Sequence, residues 1–422
     1  MTLDELRDKK ILILGFGREG RDNFLFLRKL FPNKVLGVAD RDKKVKTRLP
    51  RVKWHLGENY LKVLKDYDAI IKSPGVGIHL PEVEKAFKKN KVISQTGIFF
   101  DNCPGQIVGI TGTKGKSTTA SMIYDVLKKG KIRVHLLGNI GKPVLSYLLN
   151  AKKNDVFVYE LSSHQLYKLR KSPHVAVLLN IYREHLDYYK NFNEYALAKA
   201  NIAFHQKKDD FLVFKSEDKI VKEIAGKSKA RKIPIKGKYY ELDKNAARAV
   251  GRIFKIPSKT VEKALKEFKY LEHRLELVGT FRGVTFYNDA LATIPEATMA
   301  ALDALGNKVA TIMLGGFDRN IDFNELAKRV LRSSIKTVIL FPTTGLKIWK
   351  EILKEARGRG VPKHFFVNNM QDAVKLAYQN TAKGKICLLS TASSSFSIFR
   401  DYREKGDLFK KFVKKFAHEK TA

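Results

Sequence analysis

Apolar and polar positions along this chain predict strands and helices taking turns. Lys10–Leu14 is a short apolar run entering a glycine-rich turn, Gly15-Phe16-Gly17-Arg18-Glu19-Gly20. Helical spacing follows at Phe24, Leu25, Leu27 and Leu30, then a second apolar run, Val35–Ala39, ending in Asp40. That is a β-α-β unit. Ala69-Ile70-Ile71 predicts another strand, leading into the turn Ser73-Pro74-Gly75-Val76-Gly77. Asp101-Asn102-Cys103-Pro104-Gly105 reads as a domain boundary.

A second β-α start follows. Ile107–Ile110 predicts a strand, Thr111-Gly112-Thr113-Lys114-Gly115-Lys116-Ser117 a loop, and Ser117–Lys128 a helix. Buried-strand runs recur at Val156–Tyr159 and Val175–Leu179, each closed by polar residues: Glu160-Leu161-Ser162-Ser163 and Asn180. Ligands collect at the carboxyl ends of strands in parallel α/β sheets, so these polar residues are site candidates. From about His273, runs at Val284–Tyr287, Val309–Leu314, Thr337–Phe341, Phe365–Val367 and Ile386–Leu389 predict a further open α/β sheet. The expected class is α/β, with three domains on mostly parallel sheets: 1–102, 103–272 and 273–422.

Composition narrows the class. The 422 residues hold two cysteines, Cys103 and Cys387, which excludes a disulfide framework and a Cys-rich zinc site. No apolar run approaches the roughly 20 residues that span a bilayer. Met1–Leu6 shows no basic or apolar signal region, so a cytoplasmic protein, expected to be a monomer, is the reading. Lys and Arg number 81 against 43 Asp and Glu, a net +38. No basic block or nucleic-acid motif stands apart, and Lys85, Lys88, Lys89 and Lys91 fit a solvated helix surface, so no nucleic-acid partner is expected. The C-terminal run Phe409–Phe416 fits a membrane-surface helix, or a terminal helix packing Phe409, Phe412 and Phe416 inward; the second is expected.

Two glycine turns carry the candidate chemistry. Gly15–Gly20 fits G-x-G-x-x-G between strand and helix, with the acidic Asp40 ending the next strand. Such glycines let backbone amides approach a phosphate at a helix N-terminus, and a carboxylate holds ribose or base; any nucleotide suits. A nicotinamide-dependent oxidoreductase is one reading of it. Thr111–Ser117 fits a triphosphate loop, with Ile110 where the pattern's first Gly belongs. There Gly112, Thr113, Lys114, Gly115 and Lys116 would cradle phosphates, and Ser117 would hold Mg²⁺.

The whole series resembles the Mur ligases, which build the peptide of cell-wall precursors. The resemblance rests on Thr111–Thr118, Gly138-Asn139-Ile140-Gly141, Glu160–Leu166, Asn180–Asp187 and Tyr195–Lys199. It resumes at His273-Arg274, Asn288-Asp289, Gly315–Arg319 and Ser395-Phe396. The N-terminal turns and the run Leu389–Asp407 are similar to the D-glutamate-adding branch.

That resemblance implies ATP and Mg²⁺, and D-glutamate joined to UDP-N-acetylmuramoyl-L-alanine through an acyl phosphate. It implies that Lys116, His185 and Lys199 are catalytic. Ser117, Glu160, His185 and a carbamylated Lys199 would hold metal. Gly112–Thr118 with Arg274 and Asp289 would bind ATP. Gly15, Gly17, Arg18, Asp40, Arg41, Ser73, Pro74 and Gly75 would hold the uridine nucleotide, and Asn139, Ser162 and Gln165 the muramoyl peptide. Thr293, Arg319, Ser395 and Tyr402 would take the incoming amino acid; Arg319 stands where most such ligases carry lysine. Departures are Leu291 for a lysine, Ser397 for an aspartate, and Tyr239, Tyr240 and Asp243 in place of the adenine-facing pattern. They keep two rivals open: another ligase of the superfamily, such as a folylpolyglutamate synthase, and a weakened nucleotide-binding homologue.

Overall fold

The computed structural model describes residues 1–138, 144–184, 188–237, 240–269, 272–358 and 360–418. The chain divides into two units, Met1–Phe268 and Lys269–Ala422. The first unit holds two parallel sheets, the second holds one mostly parallel sheet, and the class is α/β.

The first sheet comprises β1 (Ile11–Leu14), β2 (Leu36–Asp40), β3 (Val52–Leu56), β4 (Ala69–Lys72) and β5 (Val92–Ile93), in the order β3-β2-β1-β4-β5. The second comprises β6 (Gln106–Thr111), β7 (Val134–Leu137), β8 (Val156–Glu160), β9 (Val175–Leu178), β10 (Phe211–Lys215) and β11 (Arg231–Ile235), in the order β11-β10-β9-β6-β8-β7. Central strands with helices on both faces bury their side chains, which is why β1 and β9 read as unbroken apolar runs and β4 and β8 as apolar runs closed by Lys72 and Glu160. Both glycine turns leave their sheets at strand carboxyl ends, β1 and β6.

The second unit carries β12 (Glu276–Phe281), β13 (Val284–Asn288), β14 (Val309–Gly315), β15 (Thr337–Phe341), β16 (Lys363–Phe366) and β17 (Ile386–Leu389). Their order is β12-β13-β17-β14-β15-β16, with only β12 antiparallel to its neighbour. The terminal helix Tyr402–Ala417 buries Phe409, Val413 and Phe416 in this unit's core and half-buries Phe412. Its apolar stripe is therefore used inside the fold. Among the described residues no helix is long and apolar enough to cross a membrane.

Candidate active site

In the first turn the glycines do different work. Gly15 has φ +89°, a left-handed conformation that glycine adopts without steric cost. Its carbonyl accepts from Ser73 Oγ at 2.9 Å, tying the turn to the Ser73-Pro74-Gly75 loop. Gly20 packs against Gly15, so a Cβ there would collide with the Gly15 carbonyl. Gly17 caps the helix Arg18–Leu30 and faces open space. Gly20→Ala should therefore cost about 1–3 kcal/mol. Gly17→Ala should stay within about 0.5 kcal/mol and weaken only phosphate approach. Denaturant melts of both variants check this; equal losses would mean the two glycines share one packing role.

Asp40 is not a free carboxylate. Phe16 N–H donates to its Oδ2 at 2.6 Å and Asp42 N–H to its Oδ1 at 2.9 Å. It braces the turn from the next strand, while Arg41, next in sequence, and Arg18, at the start of the helix after the turn, are exposed. Nearby are two charges that sequence reading missed, the half-buried Glu19 and the buried Lys72. Desolvation pushes the Glu19 carboxyl up to about 7 and the Lys72 ammonium down to about 8, each partly offset by the other.

The second loop is clamped from β9. Thr113 N–H donates to Asn180 O and Lys114 N–H to Asn180 Oδ1, both at 2.8 Å; Asn180 Nδ2 returns a bond to Lys114 O. Gly115, at φ +88°, caps the helix Lys116–Lys129, which aims amide N–H groups at the loop. Lys116 Nζ donates to Gly112 O at 3.1 Å and to Thr113 O at 2.9 Å. Ser117 and Thr118 are buried in the helix's first turn. Asp243 is buried and accepts from Thr119 Oγ1 at 2.6 Å, so it anchors this helix.

Lys199 enters from the helix Phe192–Phe204, whose 3.6-residue turn sets Tyr195 and Lys199 on one face. Lys199 is 2% exposed, 4.9 Å over the Tyr195 ring, and donates to Gly112 O at 2.8 Å. Tyr195 OH lies 2.9 Å from Thr113 Oγ1. Burial holds the Lys199 ammonium well below its ordinary value, and Lys116 and Lys114 add to the effect; Glu184 and Glu160 oppose it. Lys114 itself pairs with Glu184 at 3.0 Å.

Glu160, ending β8, is 2% exposed, and its Oε2 has no hydrogen-bond partner among the described residues. A buried carboxylate oxygen without a donor is costly unless a cation meets it. With Ser117 on the adjacent loop, the residues present fit a hard divalent cation with oxygen ligands. Asn139 and His185 lie outside the described residues. Ser162 caps the short helix Ser163–Leu166, and Gln165 Oε1 accepts from Ser162 N–H at 2.9 Å. That leaves Gln165 Nε2 to reach a ligand. Gln165 lines a cavity of about 750 Å³ together with Pro74, Lys72, Glu19 and His164.

The second unit gathers a separate cluster. Asp289, buried after β13, accepts from Ser390 Oγ at 2.8 Å and Leu275 N–H at 3.1 Å. Burial raises its carboxyl, and nearby Arg274 and Lys405 partly offset that. Lys405, 1% exposed, donates to Thr391 Oγ1 at 2.6 Å. Ser395 is buried, and its Oγ has no hydrogen-bond partner among the described residues. Arg319 is exposed, 5.9 Å over the ring of Phe396; the loops after β14 and β17 meet through a Phe317–Ser394 bridge. Tyr402 meets His273 edge-on at 5.9 Å, and Thr293 is half-buried beyond β13.

This fold and these loops are those of an amide ligase family. The Mur ligase middle domain matches residues 110–294, and the Mur ligase glutamate ligase domain matches residues 273–393. The UDP-N-acetylmuramoylalanine–D-glutamate ligase of Acetivibrio thermocellus is 32% identical, covering 97% of each chain. That of Koribacter versatilis is 30% identical over 98% of this chain and 99% of its own. The chain belongs to the Mur ligase family. Solved relatives share the fold at lower identity. The MurF ligase of Thermotoga maritima, in complex with ADP, has a TM-score of 0.61 at 18% identity and covers 98% of this chain and 96% of its own. A pseudomurein peptide ligase type C from Methanothermus fervidus has 0.58 at 18%, covering 96% and 100%.

Proposed function

We propose that this protein is an ATP-dependent ligase that joins D-glutamate to UDP-N-acetylmuramoyl-L-alanine in peptidoglycan synthesis. One observation carries the chemistry: Lys116 and Lys199 converge on Gly112 O beside the open carboxylate oxygen of Glu160. The full-length likeness to D-glutamate ligases supports the choice of substrates.

In this reading the N–H groups of Gly112–Thr118 and the Lys116 ammonium hold the β- and γ-phosphates of ATP. The γ-phosphoryl passes to the alanyl carboxylate, giving an acyl phosphate and ADP. The amine of D-glutamate then attacks the acyl carbon, phosphate leaves, and the amine loses a proton. Both reactants are anions, so cations must stand between them. Ser117 and Glu160, with His185 and a carbamylated Lys199, would hold Mg²⁺, which when bound neutralises charge on the phosphoryl oxygens. Gly15, Gly17 and Ser73–Gly75 hold the uridine diphosphate handle, with Asp40 keeping the turn in shape. Ser162 and Gln165, with Asn139, would hold the muramoyl peptide. Arg274 and Asp289 are assigned to ATP. Arg319 offers a planar fork to one D-glutamate carboxylate, and Ser395 and Tyr402 face the other. The division of labour follows residues 1–102 for the uridine nucleotide, 103–272 for ATP and 273–422 for the amino acid.

Phosphate release from ATP, measured with the muramoyl-alanine nucleotide and D-glutamate, L-glutamate or lysine, tests this. D-Glutamate alone should support turnover. Release with lysine but not D-glutamate would overturn the substrate assignment, and no release with any would favour a weakened nucleotide-binding homologue.

A further inference from the structure

Lys72 is the last residue of β4 and stands directly before the Ser73-Pro74-Gly75 turn. A lysine there is unexpected, because Ala69, Ile70 and Ile71 before it are wholly buried. It is itself 8% exposed and lines the 750 Å³ cavity beside Pro74 and Gln165. Its ammonium donates to Ser73 O at 3.0 Å and to Tyr188 OH at 3.3 Å. Tyr188 OH in turn donates to Val76 O at 3.3 Å. The Tyr188 ring lies 4.2 Å from the His164 ring, next to Gln165. Glu19 of the first glycine turn lines the same cavity, and its charge acts on the Lys72 ammonium.

One buried ammonium therefore touches or faces three segments: Gly15–Gly20, Ser73–Val76 and the stretch that follows Asn180–Asp187. Burying a lysine costs free energy unless its donors are met, and here two oxygens meet it. Packing alone would be served better by an apolar residue, as at Ile70 and Ile71. The three segments share one feature in the proposed reaction: they bracket the route from the uridine diphosphate to the reacting carboxylate.

We infer that Lys72 and Tyr188 form a strut that fixes the Ser73–Val76 turn for the uridine-linked substrate, making Lys72 a positioning residue. The inference rests on the uridine-nucleotide assignment above. The strut holds the turn's carbonyls, Ser73 O and Val76 O, from behind, which leaves the open face of Gly75 to the ligand. It bears on one substrate, since its bonds among the described residues go to Ser73 O and Val76 O and not to the Thr111–Ser117 loop.

Titration calorimetry with UDP-N-acetylmuramoyl-L-alanine and, separately, a non-hydrolysable ATP analogue tests the strut, alongside steady-state kinetics. Lys72→Met should weaken the uridine substrate about tenfold, because a charged donor to two oxygens is lost. Affinity for the ATP analogue and the KM for D-glutamate should not move, and Lys72→Arg should recover part of the loss. Tyr188→Phe removes a single hydroxyl and should weaken the same substrate about threefold. The double variant Lys72→Met, Tyr188→Phe should be no worse than Lys72→Met alone. Unchanged uridine-substrate affinity in both single variants, equal loss for both nucleotides, or additive effects would overturn the strut. A wild-type protein that binds the uridine substrate but forms no amide would overturn the proposed reaction and leave the strut standing.

Discussion

Lys116→Ala is expected to lower ATP turnover about 10³-fold while leaving uridine-nucleotide binding within about twofold. The ammonium sits on the loop's own carbonyls, Gly112 O and Thr113 O. Those carbonyls and the Asn180 clamp keep the loop's shape without it. In the proposed reaction, the substitution removes positive charge from the loop that would hold the transferring phosphoryl group. The uridine nucleotide is assigned to turns on a different sheet, after β1 and β4, whereas Lys116 bonds to carbonyls of its own loop. Phosphate release and uridine-nucleotide calorimetry on the same preparation measure both. Loss of both together would show that one loop serves both nucleotides.

Lys199→Arg should lower turnover about 10²-fold or more. Burial favours the neutral amine of Lys199, and only that form attacks carbon dioxide to give a carbamate and release a proton. As pH falls the amine is reprotonated and the carbamate is lost, so activity should fall on the acid side. Arginine stays charged throughout and forms no carbamate. It also brings a larger head into a space filled by Tyr195 and Gly112. Carbon-13 NMR under labelled carbon dioxide should show a carbamate signal in wild type and none in the variant. A variant that keeps more than about a tenth of the activity would remove Lys199 from the reaction.

Much of the fold was legible because central parallel strands are buried on both faces. Val156–Tyr159, Val175–Leu178 and Ile386–Leu389 have no polar position to disguise them. The strands that pattern did not reveal are mostly at sheet edges. β3 (Val-Lys-Trp-His-Leu) and β11 (Arg-Lys-Ile-Pro-Ile) each pair on one side only, and their exposed positions carry the charges that blunt an edge. β10 is the exception: Phe-Leu-Val-Phe is an apolar run inside the sheet that the sequence reading passed over.

The candidate site divides along a similar line. Spacing within one element is local, so the sequence put Lys116 in the phosphate loop and Ser117 at the start of the helix behind it. The order of motifs along the chain was likewise enough to reach the family. What folds back from distant elements was not available. That Lys116 and Lys199 share one carbonyl, that Asp40 braces the first turn, and that Asp243 anchors the P-loop helix are all long-range contacts. Lys72 and Lys405 look like surface charges in a chain with 81 Lys and Arg, and only burial distinguishes them. Sequence determines periodicity and local turn chemistry, hence the class, the loops and the family. Tertiary structure decides which charges lose their water, and desolvation is what turns an ordinary lysine or carboxylate into part of a site.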